Sequence, residues 1–235
     1  MATTYLDTAH RDSYRAVPAI RPHTLTAWRL ALGLNALVVA LGLAVKFGEA
    51  ATSTGTSPAA VIGGLTSELC YFTIQSNIIV LIVSAALAWK PARSSWLAGA
   101  PRLAGLVCIT ITSVVYYSLL AGDEQFTGIA RVGDLLAHLV SPLLFVGTWL
   151  IAGPRGQLHR HHVAQMLTFP AVWISLILVR GAVFHVYPYD FVDVDANGYV
   201  AVLVTIAALS AAAAALAVAA LRIDRRLTAR YSMVP

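Results

Sequence analysis

Six apolar runs, each about as long as one bilayer crossing, leave this chain very few folds to choose from. They are Ala27 to Phe47, Leu69 to Trp89, Leu103 to Ala121, Leu135 to Ala152, Ala164 to Phe184 and Tyr199 to Leu221. A spanning helix needs about 20 apolar residues, so in a chain of 235 residues the six spans and their loops leave no room for a second, soluble domain. Lipid offers no partner to a bare N–H or C=O, and every run is therefore expected to be helical. The expected fold is an all-α integral membrane bundle of six transmembrane helices at 27–221, with tails at 1–26 and 222–235. Charged residues are 11% of the chain, less than half of the roughly 25% usual in soluble domains.

The net charge of +5 reads as a topology signal rather than a nucleic-acid surface, because the basic residues alternate between loops. Arg11, Arg15 and Arg21 precede the first run; Lys90, Arg93 and Arg102 follow the second. Arg155 and Arg160 follow the fourth, and Arg222, Arg225, Arg226 and Arg230 follow the last. The first, third and fifth loops offer only Arg131, with Lys46 at a helix end, and instead carry Glu49, Glu68, Asp123, Glu124, Asp190, Asp193 and Asp195. This asymmetry predicts cytoplasmic termini in a multi-pass protein of the cell's inner (plasma) membrane. The polar first stretch of about 25 residues is unlike a signal peptide, so the first span is expected to remain in the mature protein. Cys70 and Cys108 both fall in apolar runs near opposite faces and are expected to be small buried hydrophobes rather than a disulfide.

Polar side chains inside a span are costly and mark function by default. The second run reads Tyr71-Phe72-Thr73-Ile74-Gln75-Ser76-Asn77, the fourth begins Asp134-Leu135-Leu136-Ala137-His138-Leu139-Val140-Ser141-Pro142, the fifth ends on Arg180-Gly181, and the first holds Asn35. Thr73, His138 and Arg180 each lie about four residues inside the same edge of the apolar zone, roughly 6 Å deep at 1.5 Å per residue. A hydroxyl, an imidazole and a guanidinium thus share one outer-leaflet layer. Thr73, Ser76 and Asn77 share a helical stripe, as do Asp134, His138 and Ser141. Asp134 is placed to bond one ring nitrogen of His138 and leave the other free. Pro142 cannot donate to the carbonyl of His138, so a kink and a water-accessible notch are expected there. Taken singly, each residue has a plainer reading: Thr73 bonding its own helix, His138 gluing two helices, Arg180 snorkelling to the interface or pairing with Glu68 or Asp190.

Two further clusters carry weaker signals. His159-Arg160-His161-His162 has the imidazoles of a metal site, but its interleaved arginine and lack of carboxylates favour a solvated loop. Asp193, Asp195, Asn197 and Gly198 match the first half of a calcium loop, yet the twelfth position, where a bidentate Glu belongs, is Val204. An acidic turn in which Asn197 or Gly198 caps the sixth helix is expected instead, with Tyr187 and Tyr189 in the interfacial aromatic belt.

Phe72-Thr73-Ile74, His138 four residues before Pro142, and the Tyr187-Pro188-Tyr189 turn together resemble the androgen-induced and androgen-dependent TFPI-regulating membrane proteins. The resemblance covers spans two to six. It implies an intramembrane threonine hydrolase that cleaves fatty acid esters of hydroxy fatty acids, with Thr73 as nucleophile and His138 as base. Arg180 departs from the pattern, since the animal members carry histidine near that point, and this leaves the oxyanion contact open. The Ala-rich, Arg-over-Lys composition is that of a bacterial relative.

The residues alone make the chemistry sensible. A threonine hydroxyl becomes nucleophilic when a base takes its proton. The oxyanion formed on an ester carbonyl could be met by Arg180, Ser76 or Asn77. The expected partners are a lipid ester and membrane lipids, with no nucleic acid, no metal and no organic cofactor. The rival readings are a small-solute transporter or channel using the same polar layer, and a non-catalytic scaffold. An enzyme needs Thr73 and His138 within hydrogen-bond reach; a scaffold does not.

Overall fold

The computed structural model describes residues 22–53, 55–89, 99–122, 126–151 and 155–231. Arg11, Arg15, Arg21, Lys90, Arg93, Asp123 and Glu124, counted above as topology signals, lie outside the described residues. Helix α1 is Pro22–Ser53, α2 Pro58–Glu68 and α3 Phe72–Trp89. Helix α4 is Ala100–Leu120, α5 Gly128–Ile151, α6 His161–Phe184 and α7 Val194–Tyr231. All of these except α2 are long and apolar enough to cross a membrane, six in total. The bundle is all-helical, and its flanks expose Leu30, Leu34, Leu37 and Leu41 on α1 and Leu176, Val179 and Val183 on α6, as a lipid-facing surface requires.

Three element boundaries differ from the sequence reading. The first loop, to which the sequence assigned no element, contains α2: Pro58 opens it, and the Ser57 hydroxyl caps it by accepting from the Ala60 N–H. At 11 residues it is too short to span, which hid it from a search for bilayer-length runs. The last helix does not stop at Leu221 but runs to Tyr231. The sequence past Leu221 loses its apolar character without a Gly or Pro to break the helix. Finally, Asp193, rather than Asn197 or Gly198, caps the start of α7, its Oδ1 accepting from the Ala196 N–H at 3.0 Å. Gly198 instead marks a break after the first turn, at φ 76° and ψ 157°, a backbone shape that favours glycine.

Helices α1, α3, α4 and α5 pack on one another, while α6 and α7 lean mainly on α4 and on each other. The main core joins Trp28, Leu32 and Val39 of α1 to Val80 and Val83 of α3, Leu103, Val107 and Ile109 of α4, and Phe145 of α5. Asn35 is spent inside this core: its Nδ2 donates to the Ser84 hydroxyl at 3.0 Å, tying α1 to α3. A second cluster, Trp173, Ile177, Val192, Val194 and Val202, fills the space beneath the α6–α7 connection. Cys108 is buried, whereas Cys70 is only half-buried and lies in the turn before α3, its thiol donating to the Thr66 carbonyl.

Candidate functional site

Thr73 is the second residue of α3, where the first N–H groups of a helix have no partner within it. Its own N–H donates to the Tyr189 hydroxyl at 3.3 Å. Its side-chain hydroxyl lies 3.3 Å from Nε2 of His138 and 3.5 Å from the Tyr189 hydroxyl. On the far side of the imidazole, Nδ1 is 2.8 Å from Oδ1 of Asp134. A carboxylate only accepts, so Nδ1 carries the proton and Nε2 turns its lone pair toward Thr73. Asp134 is fully buried, and its other oxygen accepts from Arg131 at 3.0 Å. Arg131, the one arginine of the otherwise acidic loops, is thus the counter-charge of a buried carboxylate.

The imidazole is fixed from its face as well. Tyr116 stacks on it with ring centroids 3.7 Å apart and planes 9° from parallel. Both rings sit on widened, π-helical turns, Tyr116–Leu120 in α4 and Leu136–Val140 in α5, a type of irregularity frequent at functional sites. The cause in α5 is Pro142, which has no N–H for the His138 carbonyl. The His138 carbonyl that Pro142 leaves without an N–H is taken by the Ser113 hydroxyl of α4, which donates to it at 2.7 Å.

Ser76 and Asn77 share the stripe with Thr73 but point their polar atoms elsewhere. The Ser76 hydroxyl donates to the Thr73 carbonyl at 3.1 Å and meets the Thr112 hydroxyl at 2.8 Å. Asn77 Nδ2 donates to the carbonyls of Thr73, at 2.9 Å, and Ala137, at 3.3 Å. Both therefore brace the first turn of α3 against α4 and α5. Arg180 donates to the Val186 carbonyl at 2.7 Å, closing the turn after α6. The structure thus brings Thr73, His138 and Asp134 together, with Ser76 and Asn77 bracing Thr73 and Arg180 near the end of α6, bonded to the connection that follows.

Tyr189 and Tyr116 are the site residues that sequence reasoning missed. Tyr189 had been given to the membrane interface, where its type is common. Its position is set by rings: Tyr71 meets it edge-on at 5.5 Å and Phe191 stacks on it at 5.1 Å. Trp173 fixes the neighbouring turn by donating from Nε1 to the Cys70 carbonyl at 2.9 Å. Part of Tyr189 remains accessible, yet burial around its hydroxyl pushes the phenol up to about 12. Tyr189 is therefore a neutral donor throughout the physiological range.

Thr73 and Tyr189 also stand at the edge of an apolar cavity of about 260 Å³ between α4, α6 and α7. Elsewhere, the rings of His159, His161 and His162 cluster within 5.6 Å at the start of α6. Asn197 Nδ2 donates to the carbonyls of Asp190 and Asp193. Among the described residues no group of three or more His, Cys, Asp or Glu side chains is arranged to hold a metal ion.

No family model, no curated protein and no solved structure matches this chain. The resemblance to the androgen-induced proteins is one of the quoted sequence motifs alone.

Proposed function

We propose that this protein is an intramembrane lipid-ester hydrolase with Thr73 as nucleophile and His138 as general base, working in the outer leaflet of the plasma membrane with both termini cytoplasmic. The observation that carries the reading is the relay itself: Thr73 hydroxyl to His138 Nε2 at 3.3 Å, and His138 Nδ1 to Asp134 at 2.8 Å. A contact slightly long in the resting state is usual for a nucleophile and its base.

His138 takes the Thr73 proton at Nε2 as Oγ1 attacks the ester carbonyl. Asp134, held by Arg131, stabilises the imidazolium that results. The oxyanion of the tetrahedral intermediate is met by the Tyr189 O–H. That hydroxyl accepts from the Thr73 N–H; its own proton, shared with the Thr73 hydroxyl 3.5 Å away in the resting state, turns to the oxyanion once Thr73 Oγ1 is bonded to the carbonyl carbon. Collapse of the intermediate expels the alkoxide, which takes the proton from His138 Nε2 and leaves as an alcohol. Water, deprotonated by the same nitrogen, then attacks the acyl-Thr73 ester, and collapse of this second intermediate releases a carboxylic acid while Thr73 Oγ1 takes the proton back from His138 Nε2. Ser76 and Asn77 hold the Thr73 backbone during both steps. Fatty acid esters of hydroxy fatty acids are the first substrates to try, on the resemblance of the Thr73 and His138 motifs.

The test is a panel of lipid esters with wild type, Thr73→Ala, His138→Ala and the double variant, together with a fluorophosphonate probe for activated hydroxyls. Each single variant is expected to lose nearly as much activity as the pair, because nucleophile and base act as a unit. Thr73→Ser is expected to keep partial activity. A wild type that takes no probe and cleaves nothing, or a fully active Thr73→Ala, overturns the reading.

A further inference from the structure

The cavity beside Thr73 has a shape that says more than its polarity does. Its walls come mainly from three helices: Cys108 to Val115 and, further toward the reacting end, Leu120 on α4, Leu167 to Ile174 on α6 and Ile206 to Ala213 on α7. Between the levels of Val115 and Cys108, seven residue steps at 1.5 Å per residue make the closed part about 10 Å deep. One end is the reacting layer, with Thr73 and Tyr189 at its edge. The other is closed by the protein's own core: Cys108 is 1% exposed and Ala213 4%, and just past them Met166 (1%) and Ala217 (0%) are packed solid. Ile111, Val115 and Leu209 line both this cavity and an adjoining apolar furrow between α4 and α7.

From this geometry we infer that the cavity is the acyl-chain site of the enzyme and that it admits one unbranched chain of about eight carbons, its limit set by Cys108, Leu167 and Ala213. Carbon–carbon bonds of about 1.5 Å at tetrahedral angles advance an extended chain about 1.25 Å per carbon, so about 10 Å takes eight. The carbonyl of such a chain would sit at the Thr73 hydroxyl with its methyl end against Ala213. The inference rests on the hydrolase reading for its carbonyl end and on the cavity alone for its length.

Two measurements on the full-length protein in detergent test it. The first compares kcat/KM for p-nitrophenyl butyrate, octanoate and palmitate. Octanoate is expected to be the best of the three. Ala213→Leu is expected to lower the octanoate-to-butyrate ratio at least about tenfold, the discrimination usual when a pocket changes by a methylene or two. Leu167→Ala, which enlarges the closed end, is expected to move the preference toward decanoate, and it serves equally if Ala213→Leu fails to fold. The second measurement needs no turnover: in Thr73→Ala, 2-bromooctanoate, whose bromine would lie at the reacting end, should quench the fluorescence of Trp173, which lines the cavity there. Adding Trp173→Phe or Ala213→Leu should remove that quenching. Esters cleaved with palmitate preferred, or with both chain-end variants leaving the ratio unchanged, overturn the chain site and leave the hydrolase standing. No cleavage of any ester alongside saturable quenching overturns the hydrolase and supports the chain site. Absence of quenching in every variant overturns the chain site.

Discussion

At the scale of single residues, the site sorts polar groups by what their neighbours leave them free to do. The Asn77 amide donates to two backbone carbonyls, and the Ser76 hydroxyl is held between the Thr73 carbonyl and Thr112. The Tyr189 hydroxyl, by contrast, accepts from a backbone N–H and lies beside the Thr73 hydroxyl, 3.5 Å away. This difference makes Tyr189→Phe the informative substitution. It removes one donor without emptying the ring's place among Tyr71, Trp173 and Phe191. We expect kcat to fall about 10²-fold, as for loss of one oxyanion donor, with KM and thermal stability nearly unchanged. An equal loss in KM, or no loss at all, removes Tyr189 from the chemistry. The wild-type phenol, raised to about 12, keeps its proton up to that pH, so it adds no alkaline decline to the pH–rate profile below about pH 11. Thr73, His138 and Asp134 were legible in the sequence because helical spacing and depth below one membrane edge are local quantities. Tyr189 and Tyr116 were not, since a tyrosine near the interface looks the same whether its hydroxyl faces water or a threonine 116 positions away.

At the scale of elements, the connection between α6 and α7 matters more than its length implies. It delivers Tyr189 to the head of α3, and its seating depends on Gly181. A Cβ built on Gly181 would lie 1.9 Å from Cε1 of Tyr187 and 2.1 Å from its Cζ, ring atoms that cannot bend aside. Gly181→Ala must therefore push Tyr187 off α6 and carry Tyr189 away from Thr73 with it. We expect a loss of about 1–3 kcal/mol in stability from overpacking, and an activity loss at least as large as that of Tyr189→Phe. Combining it with Tyr187→Ala should recover much of the stability but not the activity. An active, undestabilised Gly181→Ala would show that the ring has another place to go. The sequence marked Arg180-Gly181 for its arginine, and the glycine's partner six residues on was invisible because close approach across a turn leaves no periodic trace. The π turns were equally hidden. Pro142 announced a broken hydrogen-bond ladder, but only the packing of α4 on α5 decides that Ser113 fills the gap.

At the scale of the whole molecule, polar groups gather in two layers at opposite ends of the bundle. The layer of Thr73, His138 and Asp134 lies at one end. At the other, Arg102 donates to Gln157 at 3.2 Å. Arg155 donates to the Trp149 and Leu150 carbonyls, and buried Asp224 accepts from the Leu158 N–H at 3.2 Å. Along α4 the two layers, marked by Arg102 and Tyr116, are fourteen steps or about 21 Å apart, a separation that fits within the roughly 30 Å of a bilayer's hydrocarbon core. Basic groups that seal one end and acidic loops that crown the other follow the positive-inside pattern, and Arg131 breaks that pattern only because a buried carboxylate holds it. The orientation can be tested in a background of Cys70→Ser and Cys108→Ala. Single cysteines at Ser57 and Asn197, both exposed and at the reacting end, should react in intact cells with a thiol reagent that does not cross membranes. One at His159, exposed at the other end, should react only after the cells are broken. Labelling of the His159 position in intact cells, with none at the other two, would put Thr73 in the inner leaflet and its ester substrate with the cytoplasmic lipids.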